Sequence, residues 1–208
     1  MNEKGLPQSI TNRLIRYLEL LNQMAKEGLN TVTSKILAER SGERASVVRR
    51  DLASFGSVGI PGKGYSIYLL LEILSKKMQL DRIWKVAFIG VGGFGYTLEN
   101  DQRFAKQGIE VTFIFDSDPK IVGTKMGSYI IYHVDLIEEK LMGQGIRLAI
   151  LTEQDVSAQL IADRLIRADI RGIINFTQEH LIVPDNVTVH ELDPLLHFKQ
   201  LISYLPVH

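Results

Sequence analysis

The 208 residues allow one large domain or two small ones of ordinary soluble composition, and no apolar run is long enough to span a bilayer. The absence of cysteine excludes disulfides, thiol chemistry and thiolate metal sites. The zero net charge conceals a division, with 13 Lys/Arg against 8 Asp/Glu in residues 1–84 and 11 against 16 in residues 85–208, so the basic first part points to a polyanionic partner.

Residues 9–27 carry apolar side chains at Ile10, Leu14, Tyr17, Leu18, Leu21 and Met24, which is helical spacing, and Gly28 and Asn30 end the run. A short helix over 33–42 follows, opened by a Thr or Ser cap and closed by Gly42. Another over 44–54 turns Val47, Val48 and Leu52 inward. Ala38, Gly42 and Val48 are spaced as in a helix-turn-helix: alanine lets the helices cross closely, glycine takes the turn, and valine plugs the angle. In such a unit the second helix enters the major groove, so Ser46, Arg49 and Arg50 are the side chains available to face DNA. Residues 55–65 contain four glycines and one proline, which suits the tight hairpin of a winged helix. Its glycines let the backbone approach phosphates and Lys63 supplies charge, with Ser54 and Tyr65 completing the candidate DNA-facing set. An apolar helix over 67–78 then leads to Trp84, which reads as a domain-junction anchor.

The second part is organised around a strand over 85–90 and the loop Gly90, Val91, Gly92, Gly93, Phe94, Gly95, which has G-x-G-x-x-G spacing ahead of a helix over 94–106. The first glycine permits the turn, the second lets backbone approach a pyrophosphate, and the third packs helix on strand. The helix N-terminus would hold the pyrophosphate. A strand over 110–115 ends in Asp116, about twenty residues on, where an acid would accept from the ribose hydroxyls and disfavour a 2′-phosphate, so NAD(H) is the expected cofactor. Strands over 129–132, 148–152, 172–175 and 188–192 alternate with helices over 134–142 and 156–168, the pattern of a parallel Rossmann-like sheet. Asp193-Pro194 reads as an N-cap with proline at the first helical position. The helix it opens, over 195–205, is too apolar for a free tail and must pack on its own domain or on a second subunit.

These residues together resemble the Rex family of redox-sensing bacterial repressors. The resemblance is carried by Arg16-Tyr-Leu18, Val48-Arg-Arg-Asp-Leu52, Phe55-Gly56, Gly64-Tyr65, Ile89-Gly-Val-Gly92, Phe115-Asp-Ser-Asp-Pro119, Tyr132-His133, Gly172-Ile-Ile-Asn-Phe176, Val183-Pro184 and Asp193. It implies a winged helix-turn-helix domain over 1–82, a Rossmann NAD(H)-binding domain over 83–192, and a C-terminal helix over 193–208 swapped between the subunits of a homodimer. It implies a double-stranded operator with an inverted repeat, bound when NADH is low and released when NADH rises. Asp118, Tyr132 and Thr152 join the expected nucleotide contacts. Arg16 and Asp193 match a charged pair between the DNA-binding domain and the partner's swapped helix, and Phe198 on that helix joins them as a candidate switch residue. A cytoplasmic location follows, with no membrane contact; the start of the chain also lacks the layout of a signal peptide.

Three stretches depart from the family pattern. Pro61 stands where an arginine for the minor groove is usual, Glu153-Gln154-Asp155 replace a small, proline-containing turn, and Gln178-Glu179-His180 replace Pro-Val-Arg. A carboxylate at Glu153, Asp155 or Glu179 near the nicotinamide would favour cationic NAD⁺. Nucleotide binding with a poorer preference for NADH is therefore expected, and a paralogue with altered sensing is the alternative. An NAD-dependent oxidoreductase is a remote one. Residues 83–208 suffice for the cofactor fold and one helix, leaving no substrate domain; His133 is the best-placed base, and the other histidines lack metal-ligand spacing. No catalytic or metal residue is assigned.

Overall fold

The computed structural model describes residues 7–56, 59–60, 64–91, 102–153 and 155–205, apart from the side chains of Ile60, Gln102 and Arg103. It divides into two units, Met1–Arg82 and Ile83–His208. In the first, α1 (Gln8–Lys26) buries Leu14, Tyr17, Leu18, Leu21 and Met24, the stripe its spacing predicts. α2 (Ser34–Ser41) begins at Thr33, whose Oγ1 accepts from the Ile36 N–H, and ends at Gly42 with φ +73°. α3 (Ala45–Ala53) turns Val48, Asp51 and Leu52 inward. After β2 (Gly59–Ile60) and β3 (Gly64–Ser66), the Ser66 hydroxyl caps α4 (Ile67–Lys77). One core joins these elements through Leu14, Leu21, Leu37, Val48, Leu70 and Leu74.

The wing is a three-stranded antiparallel sheet, because β1 (Thr31–Val32) pairs with β3 on the side away from β2. A two-residue strand has no periodicity to read, so β1 was not expected from the sequence. Gly64 is needed here: its φ is +86°, and a Cβ would stand 2.6 Å from the Val32 carbonyl oxygen.

The second unit contains β4 (Trp84–Ile89), α5 (Gln102–Lys106), β5 (Ile109–Asp116), β6 (Lys125–Met126) and β7 (Tyr129–His133). A 3₁₀ turn (Val134–Leu136) and α6 (Ile137–Leu141) form where one helix over 134–142 is expected. β8 (Leu148–Leu151), α7 (Ala158–Arg167), β9 (Gly172–Asn175), β10 (Thr188–Glu191) and α8 (Pro194–Ser203) complete it. Strand order is β10-β9-β8-β4-β5-β7-β6, parallel except for β6, which pairs antiparallel with β7 at the edge. This is the Rossmann arrangement, with the order in which strands are added reversing between β4 and β8. Alternate strand residues feed two cores. Ala87, Ile89, Phe115 and Leu151 pack with Ile137 of α6 and Ile161 of α7, while Val86, Phe88, Ile114 and Ile150 pack with Phe104 of α5.

The Asp193 Oδ1 accepts from the Leu195 N–H at 2.8 Å, the expected N-cap, with Pro194 at the first position of α8. No residue of α8 is buried, and Leu195, Leu196, Phe198, Leu201 and Ile202 are all more than half exposed. An apolar cavity of about 360 Å³ lies beside it, lined by Phe176, Leu192, Pro194, His197, Phe198 and Leu201. No helix among the described residues is long and apolar enough to cross a membrane.

Candidate nucleotide and operator sites

The C-terminal ends of β5, β4 and β8 form the crevice where ligands of such sheets bind. The three backbones stay paired past their last residues, with the Gly90 N–H donating to the Phe115 carbonyl and the Thr152 N–H to the Ile89 carbonyl, both at 2.8 Å. The Thr152 hydroxyl donates to the carbonyls of Ile89 and Gly90. Gly90 has φ +91°, and a Cβ there would stand 2.4 Å from the Glu153 nitrogen, so only glycine lets the two chains lie this close. Val91 is buried on the α5 side. Gly92, Gly93, Phe94 and Gly95 lie outside the described residues.

Asp116 is 6% exposed, and its carboxylate holds the loop: Oδ2 accepts from the Val91 N–H at 2.6 Å and Oδ1 from the Asp118 N–H at 2.8 Å. Asp118 in turn accepts from the Lys120 N–H at 2.8 Å. Sequence reasoning places the acid correctly at the strand end but misses these bonds to the glycine loop. Tyr132 packs among Phe113 and Phe115 on the face shared with α6, and the Lys140 ammonium lies 5.3 Å from its ring centre. Those contacts give it a packing task. His133 is a cap, its Nδ1 accepting from the Asp135 N–H at 3.2 Å. Among the described residues no group of three or more His, Asp or Glu side chains could hold a metal ion.

In the first unit, the exposed face of α3 carries Ser46, Arg49 and Arg50 at helical spacing, opposite Val48 and Asp51. Arg49 donates from Nη1 to the Ser34 hydroxyl at 3.2 Å, at the first residue of α2. The Ser54 hydroxyl donates to the Asp51 carbonyl at 2.5 Å. Tyr65 is half-buried, its ring against Gly59 and the core, where it anchors the wing; Lys63 and Pro61 lie outside the described residues. Asp51, not singled out from the sequence, is the buried anchor of α3. It accepts two bonds from Arg13, Nε to Oδ2 at 2.7 Å and Nη2 to Oδ1 at 2.8 Å, and a third from the Tyr17 hydroxyl at 3.2 Å. Hydrogen bonding to Asp51 raises the Arg13 guanidinium above its usual range, and burial raises the Tyr17 phenol, so both remain protonated donors.

In an HTH unit the first helix crosses the phosphate backbone, so Arg49, tied to the start of α2, is expected at a phosphate and Arg50 at a base edge. Arg50→Ala should cost about 1–3 kcal/mol and relax sequence preference, whereas Arg49→Ala should weaken all sequences alike. Competition binding with specific and scrambled duplexes checks this; equal relaxation by both variants would count against the assignment.

Residues 81–179 match the family model described as "CoA binding domain", and residues 5–53 match the one described as "Putative DNA-binding protein N-terminus". The chain is 36% identical over 200 residues to the redox-sensing transcriptional repressor Rex of Anoxybacillus flavithermus, covering 96% of this chain and 94% of that one. It is also 36% identical to the Rex repressor of Thermosipho africanus, over 96% of this chain and 95% of that one. The chain belongs to the Rex family. A solved Rex-family repressor, RSP, is similar in structure too. Its complex with β-NAD⁺ and operator DNA gives a TM-score of 0.89 at 32% identity, covering 97% of this chain and 93% of that one. Its complex with β-NADH gives 0.84 at 31%, covering 97% and 94%.

Two of the departures from the Rex pattern have structural tasks that the sequence does not disclose. Glu179 caps α7 from a distance: its Oε2 accepts from the Ala158 N–H at 2.8 Å, and both oxygens lie within reach of the Ser157 hydroxyl. His180 pairs with Glu191, which also accepts from the buried Asn175 amide. Glu153 is 5% exposed; its Oε2 accepts from the Ser117 N–H at 3.1 Å and Oε1 from the Asp155 N–H at 2.9 Å. The Glu179 carboxylate satisfies a helix end, and that of Glu153 reaches towards β5.

Proposed function

We propose that this Rex-family chain is a transcriptional repressor that binds an inverted-repeat operator as a homodimer, senses the NADH/NAD⁺ balance, and releases DNA when NADH binds. The observation that carries this reading is one chain joining two units, a helix-turn-helix with Ser46, Arg49 and Arg50 exposed and a Rossmann sheet with Gly90 at its switch point and Asp116 at the neighbouring strand end. A similar repressor solved with β-NAD⁺ and operator DNA supports it over nearly the whole length. The dinucleotide is assigned to the loop from Gly90 to Gly95, with Thr152 beside it and its adenosine ribose at Asp116. A carboxylate offers about four acceptor positions, so Asp116 retains capacity beyond its two backbone bonds. Ser54, Lys63 and Tyr65 are assigned to the operator side, and Asp118 and Tyr132 to the surroundings of the nucleotide. The exposed apolar face of α8 and the cavity beside it are assigned to the second copy, with Arg16, Asp193 and Phe198 as the switch contacts.

The cofactor is read as a ligand of regulation, in keeping with relatives that are redox-sensing transcriptional repressors, and no residue is assigned to turnover. Calorimetric titration of NADH and NAD⁺ tests the site. Both should bind the parent, NADH more tightly, and Asp116→Ala should lose at least about tenfold, or about 1.4 kcal/mol. Unchanged affinity in Asp116→Ala would contradict the ribose assignment.

A further inference from the structure

We infer that Glu153 attenuates dinucleotide affinity, and does so equally for the oxidised and reduced forms. The inference rests on the nucleotide reading above and concerns how readily that same crevice is filled. Glu153 leaves the end of β8, and its carboxylate reaches the Ser117 N–H at the end of β5. The strand between them is β4. The side chain thus lies across the C-terminal end of β4, at the switch point a dinucleotide must traverse. Its backbone lies close against Gly90, where a Cβ would stand 2.4 Å from the Glu153 nitrogen.

The effect on a ligand follows from charge and space. Asp116 and Glu153 are both nearly buried, and both bond to the loops around this crevice. A dinucleotide brings a negative diphosphate into this crevice, where Glu153 adds a second carboxylate beside the Asp116 assigned to the ribose, and like charges repel more strongly where water is excluded. The nucleotide must either displace Glu153 from Ser117, freeing a backbone N–H that then needs a new acceptor, or lie against the carboxylate. Either course lowers affinity.

The direction of the side chain decides which part of the ligand feels it. Oε2 accepts from Ser117, which directly follows Asp116, while Oε1 accepts from Asp155 on the β8 side, so the end of the carboxylate that crosses β4 faces the adenosine side of the crevice. NADH and NAD⁺ are identical there and differ only at the nicotinamide. A carboxylate at that ring would favour the cation; one beside the adenosine ribose weakens both forms alike. The ratio of the two affinities is left alone, and the total nucleotide needed to fill the site rises.

The test is calorimetric titration of NADH, NAD⁺ and ADP-ribose into the full-length parent, Glu153→Ala and Glu153→Gln, with urea midpoints measured without nucleotide. Glu153→Ala should bind all three ligands about tenfold more tightly, which is about 1.4 kcal/mol. Glu153→Gln should change in the same direction by less, with the NADH/NAD⁺ affinity ratio kept within about twofold. Glu153→Gln, which keeps the length of the side chain, decides the matter if Glu153→Ala is unfolded. Unchanged or weaker binding in the folded variants overturns the inference. So does a gain confined to one redox form, which would place the carboxylate at the nicotinamide. If the parent and both variants bind none of the three, the nucleotide reading itself fails, and this inference with it.

Discussion

Truncation after Leu192 is expected to abolish the dimer, leaving a monomer or an insoluble chain. α8 buries nothing within its own unit, yet Leu195, Leu196, Phe198, Leu201 and Ile202 are more than half exposed, and Leu205 just beyond it is 59% exposed. Burying a side chain of this kind stabilises by about 1.5–3 kcal/mol, so six together supply on the order of 10 kcal/mol. That gain is comparable to the cost of association, about 4–15 kcal/mol, so α8 decides whether a dimer forms. Apolar surface of this extent marks an interaction site. Sedimentation of the full chain and the truncation checks this. A folded truncation that remains dimeric would remove α8 from the interface.

Asp51→Ala is expected to lose about 3–5 kcal/mol and, with it, operator binding, although Asp51 lies on the buried side of α3. The carboxylate is 4% exposed and holds α3 to α1 through two bonds from Arg13 and one from the fully buried Tyr17. Removing it leaves a guanidinium and a phenol without their acceptor, and such a loss takes a large part of ordinary domain stability. Asp51→Asn retains one acceptor oxygen and should lose less. Urea midpoints with an Arg13→Ala/Asp51→Ala double-mutant cycle measure the coupling. A loss below about 1 kcal/mol would show that the pair is peripheral.

What was legible in the sequence follows from distance along the chain. The helical stripe of α1, the cap and glycine around α2, and the Asp193-Pro194 start of α8 are local patterns, and each forms as read. The strand–glycine–strand–acid order places Gly90 and Asp116 at neighbouring strand ends for the same reason. β1 and β6 were not legible, since two residues carry no alternation and their pairing depends on partners elsewhere. Side-chain tasks set by distant residues were also hidden. Asp51 takes its donors from α1, Glu179 caps a helix that starts 21 residues earlier, and Glu153 bonds to an amide 36 residues away. Charge and position alone put Glu153 and Glu179 at a nicotinamide; only the fold reveals which N–H groups they meet.

A ligand releases DNA only to the extent that its affinities for the two dimer arrangements differ, and DNA must weaken the ligand by the same factor. The most direct measurement is fluorescence anisotropy of an inverted-repeat operator titrated with the full-length protein, at one fixed salt concentration, with NADH, with NAD⁺ and with neither. The expected result is retention with NAD⁺ or no nucleotide and at least tenfold weaker binding with saturating NADH, about 1.4 kcal/mol of coupling. Equal operator affinity under all three conditions would contradict it.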